Sequence, residues 1–233
     1  MPNSLPAFTS RQSRAELLLA LLWLPIHLFG LPFLLVRLFP ARDAAWLNFA
    51  VYAVGAVYML GTQFRFLRRE FDPLCERFAS VLFEVLISYG AMMLFNLAVA
   101  GLLSLAVETI DNPNNAELVE MAKGSRGVVA AVAVYLAPIV EELMFRAGIF
   151  GALRHRNRIL AYVVGIALFA LYHVWGYALS DPAVWLYALQ YLPISFLLCR
   201  IYERTDTVWG SILLHMLVNT VALHALELVE ELL

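Results

Sequence analysis

Charge is scarce in this chain of 233 residues: Asp, Glu, Lys and Arg together make up 15% of it. Soluble domains usually carry about 25%, so the shortage argues against an ordinary soluble enzyme. Lysine is nearly missing, with Lys123 alone against fifteen arginines. A net charge of −2 lacks the basic field of a nucleic-acid binder, and no nucleic-acid partner is expected. The two cysteines, Cys75 and Cys199, are too few for a disulfide framework or a four-cysteine metal site. The residues up to Ser13 are polar and interrupted by Pro2 and Pro6. No short apolar stretch there ends in a small-residue cleavage site, so no removable signal peptide is expected. The HExxH zinc motif, the GxSxG elbow and the phosphate-binding glycine loop are all missing.

Apolar residues are plentiful. They form 62% of the chain, and the mean hydropathy is +0.77. A spanning helix needs about 20 mainly apolar residues, and only helices or closed barrels satisfy their backbone in lipid. Seven such stretches are read near 16–39, 44–63, 78–107, 127–153, 159–180, 183–200 and 207–229. The expected fold is all-α: a polytopic transmembrane bundle of about seven helices. Pro25 and Pro32 are expected to kink the first stretch or make it re-entrant. Basic residues in the connecting segments alternate unevenly, 11 on one side and 4 on the other. The positive-inside rule then places the N-terminus in the cytoplasm and the acidic end (Glu227, Glu230, Glu231) outside. Both cysteines would face the cytoplasm as reduced thiols.

Ionisable groups inside spans are costly, about 2.5–3.5 kcal/mol each at the bilayer centre on the mildest scale. Glu141, Glu142 and Arg146 lie in the fourth stretch, His173 in the fifth, and His215 and Asn219 in the seventh. Glu142 and Arg146 are four residues apart, so they share a helical face and can pair. His215 and Asn219 share a face by the same spacing. At 1.5 Å per residue, Glu141, His173 and His215 lie roughly 18, 21 and 12 Å from the cytoplasmic end. All three fall near the middle of the layer, so one internal polar cluster lined by three helices is expected. Other polar residues read as ordinary: His27 as structural or interfacial, His155 as solvated, and Glu84 as reaching water from the end of its span near Ser88. Gln190, Tyr187 and Tyr191 line the cavity or bridge helices.

Three segments carry a family resemblance: Glu141-Glu142-x-x-x-Arg146, Phe169-x-x-x-His173 and His215-x-x-x-Asn219. In this order they resemble the motifs of the CPBP family of CAAX prenyl endopeptidases and bacteriocin-processing or immunity proteins. The resemblance covers roughly residues 125–225. It implies an intramembrane endopeptidase in which Glu141 activates water and His173 assists. His215 and Asn219 would orient the water or stabilise the oxyanion, with Glu142 and Arg146 in support. It leaves open whether the chemistry is of the glutamate type or metal-dependent. No cofactor is expected, but if zinc is used, Glu141, His173 and His215 form the ligand set, since His₂Glu is an attested catalytic combination.

Two regions follow: residues 1–110, transmembrane helices without a recognised role, and residues 125–229, the catalytic helical core. The expected partners are the lipid bilayer and a peptide or membrane-protein substrate. The arginine-heavy composition points to a bacterial inner membrane. The rival readings are an idle membrane partner or immunity protein, and a proton-coupled transporter. The transporter reading predicts matching interrupted helices in two halves, whereas the polar groups here crowd the C-terminal half.

Overall fold

Helices account for nearly all of the regular structure, because lipid-facing backbone must bond to itself. A computed structural model describes residues 8–105 and 112–232, with side chains through Ala225, and no strand occurs among the described residues. The expected end of the third stretch beyond Leu105, Pro2 and Pro6, and the side chains of Glu227, Glu230 and Glu231 lie outside this description.

Seven helices have the length and hydropathy of spans: α1 (Arg14–Leu38), α2 (Ala44–Thr62), α4 (Phe78–Leu103), α5 (Pro113–Arg154), α6 (Arg158–Ala178), α7 (Pro182–Thr205) and α8, whose spanning part is Val208–Ala225. The expected count is met. One further helix, α3 (Phe64–Glu76), links α2 to α4, where the sequence reading had only a loop. Phe66, Leu67, Glu70 and Leu74 are buried along one side of it. Arg65, Arg68 and Arg69 point outward, so this helix is amphipathic and too polar to span.

Local chemistry sets the helix ends. Ser13 and Glu16 form a capping box at the start of α1. Asp43 accepts the Trp46 amide at α2 (2.7 Å) and Asn157 the Leu160 amide at α6 (3.0 Å), each satisfying an orphan donor of the first turn. Pro25 and Pro32 do not break α1. A π-helical turn, Ile26–Gly30, lies between them and the helix continues, the wider turn absorbing the donors that proline lacks. Similar π segments, Ala131–Leu136 and Glu142–Phe150, bracket Pro138 in α5.

One continuous apolar core joins both regions: Trp23, Met59, Phe66 and Val85 pack in the same cluster as Val140, Phe150, Phe169, Leu198 and Ile212. Most spans are largely exposed on the outside of the bundle, but 61% of the most apolar window of α5 is buried. That helix is the axis around which the others pack.

The arginine-rich segments gather at one end. Arg69 pairs with Glu16 (3.0 Å), Arg158 with Glu203 (2.8 Å), and Arg77 donates to the Thr205 carbonyl (2.9 Å). Arg154 also meets Glu203. Glu84 does not simply reach water, because Arg200 (3.5 Å) and Arg204 pair with it. His155, though exposed, bonds to the Ser10 carbonyl (2.9 Å) rather than only to solvent. Asp206, in the left-handed region at φ 51°, accepts the amides of Thr9 (2.7 Å) and Ser10 (2.8 Å). Beneath them Glu70 is buried and accepts from the Ser10 hydroxyl (2.8 Å) and the Val208 amide (2.9 Å). Burial pushes the Glu70 carboxyl up to about 7.

Candidate active site

The acidic pair sits where α5 departs from α-helical geometry. Glu141 ends a short α-helical stretch, Ala137–Glu141, and Glu142 opens the following π segment. Pro138 cannot donate to the preceding turn, which accounts for a widened backbone at this depth. Glu141 is 3% exposed, and Glu142 and Arg146 are fully buried.

The two glutamates have different partners. The Oε1 of Glu142 lies 3.2 Å from the Arg146 guanidinium and 2.9 Å from Nδ1 of His215. Arg146 is further held with its guanidinium 3.9 Å above the ring of Phe169, a cation–π contact strengthened by desolvation. Glu141 has no such cation. Its Oε1 accepts from the Tyr52 hydroxyl (2.8 Å). Its Oε2 is buried and finds no hydrogen-bond partner among the protein's groups. That oxygen faces Nε2 of His173 at 4.0 Å and Nε2 of His215 at 3.9 Å.

The tautomers follow from these bonds. Nδ1 of His173 lies 2.8 Å from the Phe169 carbonyl, which only accepts, so Nδ1 carries the proton. Nδ1 of His215 likewise donates to the Glu142 carboxylate. In the neutral imidazoles both Nε2 atoms therefore present lone pairs towards Oε2 of Glu141. Separations near 4 Å are too long for direct hydrogen bonds but short enough for one water to bridge. Leaving a buried carboxylate oxygen unsatisfied costs about 1–3 kcal/mol or more, so a small hydrogen-bonding molecule would be stabilised there.

Glu141, His173 and His215 thus meet on α5, α6 and α8, and Glu142 and Arg146 form the expected pair. Asn219, one turn beyond His215, donates to the Ala133 carbonyl in the first π segment of α5 (2.7 Å). Gln190 and Tyr191 both bond to Asn112 at the start of α5, at 2.6 and 3.1 Å. Tyr191 also stacks on His173, with ring centroids 4.3 Å apart.

Donor type would suit zinc, but spacing does not. Zinc bonds of about 2.0–2.2 Å in a tetrahedron put neighbouring ligand atoms roughly 3.4 Å apart. Here the carboxylate-to-imidazole separations are 3.9 and 4.0 Å. Among the described residues no three His, Cys, Asp or Glu side chains are placed to hold a metal ion.

Sequence reasoning missed the contribution of the first two helices. His27 Nε2 bonds to the Tyr172 hydroxyl (2.9 Å), Tyr172 to Tyr52 (2.8 Å), and Tyr52 to Glu141. With Tyr52 donating to the carboxylate, Tyr172 donates to Tyr52 and His27 donates to Tyr172. The chain runs one way, from α1 through α6 and α2 to Glu141. A tyrosine within an apolar stretch carries no signal of such a role. The double function of Phe169 was also hidden: its carbonyl orients His173 and its ring carries Arg146.

Comparison with known proteins agrees with the position of this cluster. Segments of the chain are similar to the UPF0177 protein YxdF of Lactococcus lactis, 33% identical over 41% of this chain and 48% of that protein. They are also similar to a Bacillus subtilis protein named "Putative membrane peptidase YdiL", 31% identical over 38% of this chain and 33% of that protein. A third relative, the UPF0177 protein YbdI of Lactococcus lactis, is 35% identical over 35% of this chain and 40% of that protein. The chain thus aligns with less than half the length of each of these relatives. No solved structure matches it. Residues 124–221, which hold all seven motif residues from Glu141 to Asn219, match the family model described as type II CAAX prenyl endopeptidase Rce1-like, and over this segment the resemblance read from the three motifs is shown.

Proposed function

We propose that the chain is an intramembrane endopeptidase that hydrolyses peptide bonds with water activated by Glu141. The observation that carries this reading is the buried Oε2 of Glu141, unpartnered and facing two imidazole nitrogens at 3.9 and 4.0 Å. The similarity of residues 124–221 to the Rce1-like endopeptidases supports it, as does the relative named as a membrane peptidase.

A water between these three groups donates one hydrogen to Glu141 and the other to an imidazole nitrogen. Glu141 takes the proton as the water oxygen bonds to the scissile carbonyl carbon, and the carbonyl electrons move onto oxygen. As the intermediate collapses, the carbon–nitrogen bond breaks and the proton passes from Glu141 to the leaving amine. General-base and general-acid transfers of this kind are worth about 10²–10⁴ in rate. His173 and His215 hold the water on line, each oriented by its own Nδ1 bond. Asn219 offers its second amide hydrogen to the oxyanion. Glu142 and Arg146 act through His215 and the packing of α5. The donor spacing does not suit zinc, so no step is routed through a metal.

The substrate is a peptide or the membrane segment of a protein, and the arginine-rich end faces the cytoplasm of a bacterial cell. Comparison of membrane proteomes and peptides from wild-type and Glu141→Gln cells tests the reading. It expects full-length proteins to accumulate in the mutant with matching loss of their fragments. Identical profiles in cells that express both forms equally would count against proteolysis.

A further inference from the structure

Apart from the intramembrane glutamates, the arginine-rich end holds a cavity of about 820 Å³ between the start of α1 and the end of α5. Arg11, Arg14, Arg69 and Arg156 line it, with Leu17, Ala147 and Leu153 as apolar wall. Its size falls in the usual range for small-molecule sites, about 300–1,000 Å³. Arg69 is paired with Glu16. Arg11, Arg14 and Arg156 are exposed, and no carboxylate among the described residues pairs with them. The cavity therefore carries unneutralised positive charge above an apolar wall.

A second observation is independent of that charge. Gln12, also lining the cavity, is 7% exposed, and its Oε1 is buried without a hydrogen-bond partner. Its orientation is determined by a chain of bonds. The Glu16 carbonyl only accepts, so Gln63 turns its amide nitrogen to it (2.8 Å). The Gln63 oxygen then accepts from the Gln12 nitrogen (2.8 Å), which leaves the Gln12 oxygen as a buried acceptor awaiting a donor. A bare inorganic anion at neutral pH meets the arginines but supplies few donors. A phosphate ester bearing a hydroxyl meets both demands. Beside the cavity, Leu18 and Leu22 on α1 are 67% and 56% exposed, a surface suited to acyl chains.

We propose that this cavity binds the headgroup of an anionic phospholipid carrying a free hydroxyl, with the phosphate among Arg11, Arg14 and Arg156 and the hydroxyl donating to Gln12. The site is separate from the peptidase reading and stands or falls without it.

Full-length protein in nanodiscs of mixed phosphatidylglycerol and phosphatidylcholine, analysed by native mass spectrometry for retained lipid, provides the test. Phosphatidylglycerol should be retained over phosphatidylcholine, and over phosphatidylethanol, a phosphodiester with the same single charge and no headgroup hydroxyl. Arg11→Gln, Arg14→Gln and Arg156→Gln should each weaken retention about five-fold, the effect of one basic residue at an anionic surface. Arg65→Gln with Arg68→Gln, exposed on α3, removes two charges outside the cavity, more than any single cavity variant, and should leave retention nearly unchanged. Gln12→Leu should abolish the preference over phosphatidylethanol while keeping that over phosphatidylcholine. Three results would overturn the proposal: equal retention of phosphatidylglycerol and phosphatidylcholine, equal losses for the α3 control and the cavity variants, or displacement of the lipid by millimolar inorganic phosphate. Unchanged thermal midpoints of the arginine variants in detergent separate loss of the site from loss of the fold.

Discussion

The first 103 residues and those from Pro113 onward differ in how they treat polar groups at depth. In the later part, the most apolar window of α5 is mostly buried, and Glu141, Glu142 and Arg146 on this helix are faced by His173 and Phe169 of α6 and by His215 of α8. In the earlier part, α4 shows most of its surface to the outside, with 17% of its most apolar window buried. Among the described residues, the earlier part reaches the cluster's hydrogen bonds through His27 and Tyr52. On the proposed reading the later helices supply the reactive groups, and the earlier ones supply a hydrogen-bonded brace through His27 and Tyr52. On that same reading, function lies where burial makes ionisable groups most costly.

The comparison can be broken first at the imidazoles. His173→Gln should lower kcat by about 10²-fold, the usual cost of misplacing an attacking group, with KM little changed. A loss below about three-fold in a peptide-hydrolysis assay would remove His173 from the chemistry. Next, Glu142→Ala should cost about 3–5 kcal/mol of stability, because it leaves the Arg146 charge buried without its counter-ion. Glu141→Ala should cost less, since no cation pairs with it at short range. Thermal unfolding in detergent ranks the two, and the opposite order would reverse the roles of the pair.

At the arginine-rich end, Glu70 should give the fold a pH dependence unrelated to the membrane site. Its carboxyl is raised by burial to about 7. A raised folded-state value means that its stabilising contribution is complete below about 4.5 and is lost as pH climbs to about 7. The loss should be roughly 3 kcal/mol at 1.36 kcal/mol per unit. Glu70→Gln should flatten stability over that window, and an unchanged slope would reject the assignment. The smallest expected effect sharpens the role of the earlier helices. Tyr52→Phe removes one hydrogen bond to a charged group, worth about 1.5–3 kcal/mol. Part of that is recovered by rearrangement, so kcat should fall roughly ten-fold at unchanged KM. The same substitution in a Glu141→Gln background should then have no further effect on turnover.

The seven spans were legible because hydropathy over about 20 residues reports burial in lipid directly. The cluster was legible because glutamate and histidine are rare in spans, and because agreement in depth on three helices needed no knowledge of packing. The rest depended on geometry that hydropathy does not encode. Helix α3 was hidden by its arginines, since its apolar side is short and one-sided. The π turns around Pro138 depend on where neighbouring helices fill the widened backbone. Tyr52 and Tyr172 look like ordinary interior aromatics until α2 is seen to cross α5. The sequence reading gave Glu142 one partner, but the structure gives it two, Arg146 and His215, because α8 brings His215 alongside it.

The most direct test of the account is peptide hydrolysis by purified wild-type and Glu141→Gln protein in nanodiscs, with zinc content measured on the same samples. Glutamine keeps the size of the side chain and its bond to Tyr52 but cannot take a proton from water near neutral pH. The account predicts an unchanged melting midpoint, hydrolysis lowered by about 10²–10⁴, and activity in the wild type that does not track zinc content. Undiminished hydrolysis by Glu141→Gln would contradict it.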